Sequence, residues 1–136
     1  MKNILIISLG VLILALSACA KEGEGGAATI EGKVMVRLIN ENTLDTLATY
    51  EALDERVYIV YGDADVYGDD VRTTYNGNYQ FDYLYQGDYT VYAYSECLFN
   101  LVDCPGETST VLKEVNISSS RETVTVPTLT INKYTK

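Results

Sequence analysis

The chain has 136 residues, with nineteen acidic and ten basic side chains and neither histidine nor tryptophan. This length allows one domain with one core, and the formal charge of −9 excludes nucleic acid as a partner because the surface repels a polyanion. Without histidine a serine or cysteine nucleophile lacks its commonest general base, and no glycine-rich phosphate loop occurs. We therefore predict that the protein is not an enzyme.

The N-terminal segment has the form of a secretory signal. Lys2 precedes the apolar run 4–16, which is too short to cross a bilayer, since a spanning helix needs about 20 apolar residues. The four residues that end the signal, LSAC (16–19), resemble the lipobox of bacterial lipoproteins. This resemblance implies cleavage of residues 1–18, acylation of Cys19 and stable attachment to a membrane of the bacterial cell envelope. The alternative is an ordinary cleaved signal in which the cysteine occurs by chance.

The residues that follow the signal are small and charged, which is typical of a flexible linker. We predict an acylated cysteine with a flexible tether over residues 19–28 and a folded domain over residues 29–136. Within the tether, Glu22 and Glu24 resemble a surface-export signal of one group of Gram-negative bacteria, and a plain solvated linker is the alternative. The predicted location is the outer membrane, and the export-like signal would add exposure at the cell surface.

Alternating apolar and polar residues begin at Thr29. In TIEGKVMVRLI (29–39) one face carries Ile30, Val34, Val36 and Leu38, which predicts a strand with one buried face. The nearly continuous apolar run ERVYIVYG (55–62) predicts a central strand. Five further strands are predicted at 71–75, 79–84, 88–95, 109–118 and 122–131.

Two stretches are harder to assign. Pro127 has no N–H to donate, so the last strand should lie at an edge or contain a break. In residues 40–55, Leu44, Leu47 and Leu53 have roughly helical spacing, and either a short helix or a long ordered loop would fit.

Seven short strands separated by turn residues favour an antiparallel β-sandwich. Within them, NGNYQFDYLYQGDYTVYA (76–93) resembles the signature G-x-Y-x-F-x-x-L-x-x-G-x-Y-x-V-x-A of carboxypeptidase-regulatory-like domains, the transthyretin-like or prealbumin group. The resemblance implies a seven-stranded transthyretin-like sandwich with no catalytic role. The matching residues are Gly77, Tyr79, Phe81, Leu84, Gly87, Tyr89, Val91 and Ala93.

In this register the aromatic residues at 79, 81 and 89 point inward, and Gly77 and Gly87 supply positive φ angles at turns. Other tyrosines then remain for the outer faces, where they would form a flat aromatic platform for a glycan or a peptide. The alternative is that they are ordinary strand residues. The candidate binding residues are Tyr83, Tyr85, Tyr92 and Tyr94, with Tyr58 or Tyr61 across the sheet.

The acidic stretch YGDADVYGDD (61–70) is a candidate calcium loop, because calcium is bound by several carboxylate and carbonyl oxygens. A hairpin connection with Asx turns is the alternative, since Thr74 stands where an EF-hand loop has its bidentate glutamate. No cofactor other than calcium is predicted. The candidate ligands are Asp63, Asp65, Asp69 and Asp70.

Two kinds of covalent modification are predicted in the domain. Cys97 and Cys104 form a disulfide in an oxidising envelope, and a metal or redox pair is the alternative. The triplet DTL (45–47) resembles an O-glycosylation acceptor of some Gram-negative bacteria, which would modify Thr46, although such a short match also arises by chance.

These features predict a lipid-anchored, non-catalytic binding or accessory module, attached through Cys19 and recognising an envelope protein or a glycan. One alternative is a structural subunit or spacer of a surface assembly or transporter complex. The other alternative is a calcium-dependent adhesive module.

Overall fold

The computed structural model describes residues 21–98, 104 and 106–136, so the predicted signal and Cys19 lie outside the described residues. No helix in the described part of the chain is long and apolar enough to cross a membrane. The described residues contain no helix at all and form nine strands. The strands are β1 (Glu24–Asn40), β2 (Thr46–Glu51), β3 (Arg56–Tyr61), β4 (Asp69–Arg72), β5 (Asn78–Leu84), β6 (Gly87–Glu96), β7 (Thr108–Ile117), β8 (Thr123–Thr125) and β9 (Leu129–Thr135).

The strands form two sheets. In the five-stranded sheet the 17-residue strand β1 pairs with all four others: β5 and β8 flank its first half, and β2 and β9 flank its second half. The four-stranded sheet has the order β4-β3-β6-β7 and is antiparallel throughout. The predicted central position of residues 55–62 is confirmed, since β3 lies between β4 and β6.

Buried side chains from both sheets form one hydrophobic cluster, as alternation along half-buried strands requires. The predicted inward register of the signature residues is confirmed, and Gly77 and Gly87 have positive φ angles of 75° and 141°. The most deeply buried residues include Ile30, Val34, Val57, Ile59, Tyr79, Phe81, Leu84, Tyr89, Val91, Ala93, Ile117, Leu129 and Ile131.

The prediction of an all-β protein is confirmed, whereas the predicted seven-stranded, wholly antiparallel arrangement is wrong. The described residues contain nine strands, and β1 pairs in parallel with β8 and β9. The physical reason is the length of β1, which accommodates two partners along each edge. The break predicted at Pro127 is confirmed, since it separates β8 from β9. The transthyretin-like assignment stays a prediction.

The segment 24–28, predicted as part of a tether, is the start of β1 instead. Ala28 is fully buried, and Glu24 and Ala28 both pair with Leu84 on β5. A side chain at Gly26 would collide with the carbonyl of Leu84, so the absence of a Cβ lets the two backbones approach. The glycines therefore serve close strand pairing here and not flexibility.

Residues 46–51, for which a helix or a loop was predicted, form strand β2. All six residues are exposed, so the helical spacing of leucines marks no buried face. Pairing with residues 35–39 of β1 holds the strand. The register shifts between Leu38 and Ile39, and Ile39 is buried where Leu38 was predicted to be.

The ends of two predicted strands are held by side chains. Strand β4 ends at Arg72, three residues earlier than predicted, because the buried Thr73 hydroxyl donates to the Ala52 carbonyl and accepts the Glu55 N–H. The predicted disulfide between Cys97 and Cys104 is confirmed, with 5.9 Å between the Cα atoms.

Candidate functional site: a tyrosine patch

Three tyrosines lie between the sheets or at their margin. Tyr79 and Tyr89 are almost fully buried, and Tyr61 packs edge-on against Tyr89 with 5.8 Å between ring centroids. Burial raises the pKa of all three phenols, to about 12 for Tyr61. The Tyr89 hydroxyl donates to the Tyr85 carbonyl at 2.7 Å and accepts the Gly23 N–H at 3.0 Å. The hydroxyls of Tyr61 and Tyr79 are buried without a hydrogen-bond partner in the described part of the protein.

A second set of tyrosines covers the outer face of the four-stranded sheet. Tyr58 on β3 lies directly opposite Tyr92 on β6, and Tyr94 is the next outward residue of β6. Tyr67 reaches the same face from the β3–β4 connection and contacts Tyr58. We call these four residues the tyrosine patch.

The rings of the tyrosine patch are not coplanar. Tyr58 and Tyr92 stack with 5.0 Å between centroids and 11° between planes. Tyr67 and Tyr94 meet Tyr58 edge-on, at 65° and 78° and at 4.9 and 5.5 Å. The predicted flat platform is therefore wrong, because aromatic quadrupoles favour these stacked and edge-on contacts over four rings laid side by side.

The surroundings of the patch are mixed in chemistry. Leu112 on β7, which is half exposed, lies opposite Tyr92 and extends the apolar surface. On the other side, Arg56 forms an ion pair with Asp70 at 3.2 Å, and its pKa is raised by hydrogen bonding to Tyr58 and by the charge of Asp70. An aromatic centre with a charged rim is the composition typical of protein interfaces.

The structure brings together only half of the predicted binding tyrosines. Tyr92 and Tyr94 belong to the patch, whereas Tyr83 lies near the end of β5, in the five-stranded sheet, and Tyr85 lies in the turn after that strand. The turn between β5 and β6 carries the chain from one sheet to the other, so neighbours in sequence are separated. Tyr67 was not predicted because it lies in a connection, where strand alternation gives no signal.

The predicted calcium ligands do not form a metal site. Asp69 accepts the N–H of Asp70 at 2.8 Å, and Asp70 is paired with Arg56. Asp63 and Asp65 are exposed in the connection before β4. No group of three or more carboxylate or cysteine side chains that could hold a metal ion occurs in the described ranges. The acidic stretch is therefore a connection between strands, as the alternative interpretation predicts.

The two predicted sites of glycosylation and acylation stay untested by the structure. Thr46 is the first residue of β2 and is exposed, so it is accessible, and its glycosylation stays a prediction. Acylation of Cys19 also stays a prediction.

Comparison with known proteins gives little additional information. No family model matches the chain, and no curated protein matches it. Among the solved structures that resemble it is a candidate carbohydrate-binding protein from Pseudomonas aeruginosa, 17% identical, with a TM-score of 0.46. The match covers 82% of this chain and 92% of that one. Similarity at this level carries no argument about function.

Proposed function

We propose that the protein is a lipid-anchored, non-catalytic binding module of the bacterial cell envelope, with the tyrosine patch as its binding surface. The observation that carries this proposal is the gathering of four tyrosine rings on one outer face of a sheet, with Tyr67 and Tyr94 each 47% exposed. The lipobox-like LSAC supports the anchor.

Sheet stability accounts for only part of the patch. Cross-strand aromatic pairs stabilise antiparallel strands, which explains the stacking of Tyr58 on Tyr92. Tyr67 belongs to no strand, so cross-strand pairing does not explain why its half-exposed ring lies beside Tyr58. Tyrosine exposes a large contact area at a small cost in side-chain entropy, and it is enriched at interfaces. A binding role explains all four rings together.

The geometry favours a protein ligand over a glycan. A sugar ring stacks on an open, flat aromatic face, but the faces of Tyr58 and Tyr92 are turned toward each other. The patch instead combines ring edges with the half-exposed Leu112 and the ion pair between Arg56 and Asp70. Aromatic residues and arginine are the side chains that most often dominate protein interfaces.

Affinity capture from envelope extracts tests this function. The wild-type protein is compared with the double variant Tyr67→Ala/Tyr94→Ala and with the control Tyr75→Ala, whose ring is 82% exposed outside the patch. We expect an envelope protein that wild type and control capture and that the double variant loses, by at least about tenfold. Equal capture by all three proteins would reject the patch, and patch-dependent binding on a glycan array alone would make the ligand a glycan.

The membrane anchor has its own test. Metabolic palmitate labelling should mark the wild-type protein, whereas a Cys19→Ser variant should be unlabelled and released from membranes. Two or three acyl chains hold a protein on a bilayer almost irreversibly, so the expected difference is large. A wild-type protein that is unlabelled and secreted contradicts the envelope assignment.

One observation favours a second candidate function, a structural subunit of a surface assembly. Strand β7 has ten residues and pairs only with β6 within the described structure, and a long edge strand can add a strand from another chain. A Leu112→Lys variant would then lose its assembly partner in size measurements, because edge charges oppose such pairing, whereas the patch variant Tyr67→Ala/Tyr94→Ala would keep it. Unchanged assembly in this variant would reject the structural role.

A further inference from the structure

The chain joins the folded body very soon after Cys19. Gly23 is buried, and its carbonyl accepts the Tyr85 N–H at 2.9 Å. Its N–H donates to the hydroxyl of Tyr89 at 3.0 Å, and this hydroxyl donates to the Tyr85 carbonyl. Two of these bonds tie Gly23 to Tyr85, in the turn between β5 and β6, and to Tyr89 on β6, and the third joins Tyr89 to Tyr85. This is a tyrosine corner, an arrangement found in β-sandwich proteins, with the N-terminal segment added to it.

Glycines let the N-terminal segment lie close to the body. Gly23 and Gly25 have φ angles of 137° and 118°, a region that residues with a Cβ rarely adopt. The side chain of Glu22 lies against Gly62 and Gly87, and a side chain at Gly87 would collide with it. The chain is therefore held from Glu22 onward.

Only Ala20 and Lys21 separate Cys19 from Glu22. Three residue steps of extended chain reach about 11 Å. An acylated Cys19 would therefore keep this part of the body within about 11 Å of the lipid headgroups. The same end of the body contains the start of β1, the start of β6 and the ends of β3, β5 and β7, and we call it the anchor end.

The anchor end exposes an aromatic ring suited to headgroups. Tyr83, near the end of β5, is 73% exposed and has a φ angle of 58°, which is unusual for an aromatic residue. Tyrosine favours the membrane–water interface, because its ring is apolar and its tip is polar. This explains the exposure of a predicted binding tyrosine that lies apart from the tyrosine patch.

The patch residue Tyr94 lies toward the opposite end. Tyr94 is seven residues along β6 from Gly87, which corresponds to about 23 Å of strand. Cys97, with its disulfide to Cys104, follows directly after β6. On the basis of the proposed lipid anchor, we infer that the domain stands directly on its membrane. Tyr83 then lies at the headgroups, and Tyr94 and the disulfide face away from the membrane. The protein would thus need no flexible tether to present its binding surface.

Single tryptophans test this orientation, because the chain has none of its own. Tyr83→Trp and Tyr94→Trp are made separately in the full-length acylated protein, which is reconstituted in liposomes of bromine-labelled phospholipid. We expect several-fold stronger quenching of the fluorescence at position 83 than at position 94. Insertion of about six Gly and Ser residues between Lys21 and Glu22 should reduce that difference, since a flexible linker lets the body move away.

Flotation of the same liposomes separates the two possible failures. Protein that does not float with the liposomes contradicts the anchor, and this inference with it. Protein that floats but shows equal quenching at both positions, or stronger quenching at position 94, overturns the orientation alone. Thermal unfolding of both variants in detergent checks that each is folded, and the inserted variant provides a second comparison within one protein background.

Discussion

The buried tyrosines and the tyrosine patch are built from the same residue type and use it in opposite ways. Tyr89 and Tyr92 are three residues apart on β6, and strand alternation sends one ring between the sheets and the other to the outer face. Inside, the ring supplies buried area, and a hydroxyl without a partner, such as that of Tyr79, lowers stability. Outside, ring contacts leave polar tips and edges available. Position along the strand therefore decides which tyrosines are exposed.

The largest difference between the two regions should appear when whole rings are removed. Phe81→Ala, in the buried cluster, should lower the free energy of unfolding by about 3–5 kcal/mol, through lost burial and an unfilled cavity. Tyr92→Ala should cost about 1 kcal/mol, because it removes mainly a cross-strand ring contact. Urea unfolding of both variants measures the two losses. Similar losses would mean that the patch is part of the structural core.

Removing only the hydroxyl sharpens the comparison among the buried rings. Tyr89→Phe should lower the free energy of unfolding by about 1–2 kcal/mol, because the Gly23 N–H loses its acceptor. Tyr79→Phe should leave it unchanged or raise it by about 1 kcal/mol, because the Tyr79 hydroxyl is buried without a partner. Both are measured in urea. A larger loss for Tyr79→Phe would contradict the assigned hydrogen bonding.

Alkaline pH should act on the buried tyrosines. A phenol in the unfolded chain ionises near pH 10, whereas burial raises the pKa of Tyr61 to about 12 in the fold. The folded state therefore holds a proton that the unfolded chain loses, so this stability is complete below about pH 10 and falls between about pH 10 and 12. Melting temperatures over this range should fall less steeply for Tyr61→Phe than for wild type. Melting temperatures that fall equally with pH in the two proteins would contradict the raised pKa of Tyr61.

The smallest effect on stability should come from the loop tyrosine of the patch. Tyr67→Ala should change the free energy of unfolding by less than about 0.5 kcal/mol, since the ring is half exposed and belongs to no strand. The same variant should weaken ligand capture several-fold. Urea unfolding and affinity capture on one protein preparation measure both. A stability loss above about 2 kcal/mol would assign Tyr67 a structural role.

Alternation of residue type predicted most of the fold, because a half-buried strand must place apolar side chains on one face. The break at Pro127 was predicted separately, from the missing N–H of proline. Alternation predicted the inward positions of Tyr79, Phe81 and Tyr89. It failed for β2, whose residues are all exposed and which is held by pairing with β1. Backbone pairing leaves no pattern in the side chains, so alternation of residue type does not predict such strands.

The candidate site could be predicted only in part for a related reason. Tyr92 and Tyr94 follow from alternation on β6, but which strand lies beside them depends on sheet order. Tyr83 and Tyr85 were grouped with them because they are near in sequence, although the chain changes sheets between β5 and β6. Tyr67 reaches the patch through a loop path that depends on tertiary structure. Long-range pairing thus decides the membership of the patch.

The most direct test of the central claim, that the tyrosine patch is the binding surface, is site-specific photo-crosslinking in intact cells. A photoreactive residue is placed at Tyr94, in the patch, or at Tyr75, which is 82% exposed outside it. We predict one dominant crosslinked envelope protein from position 94 that is absent from position 75. No crosslink at position 94, or the same products from both positions, would contradict the claim.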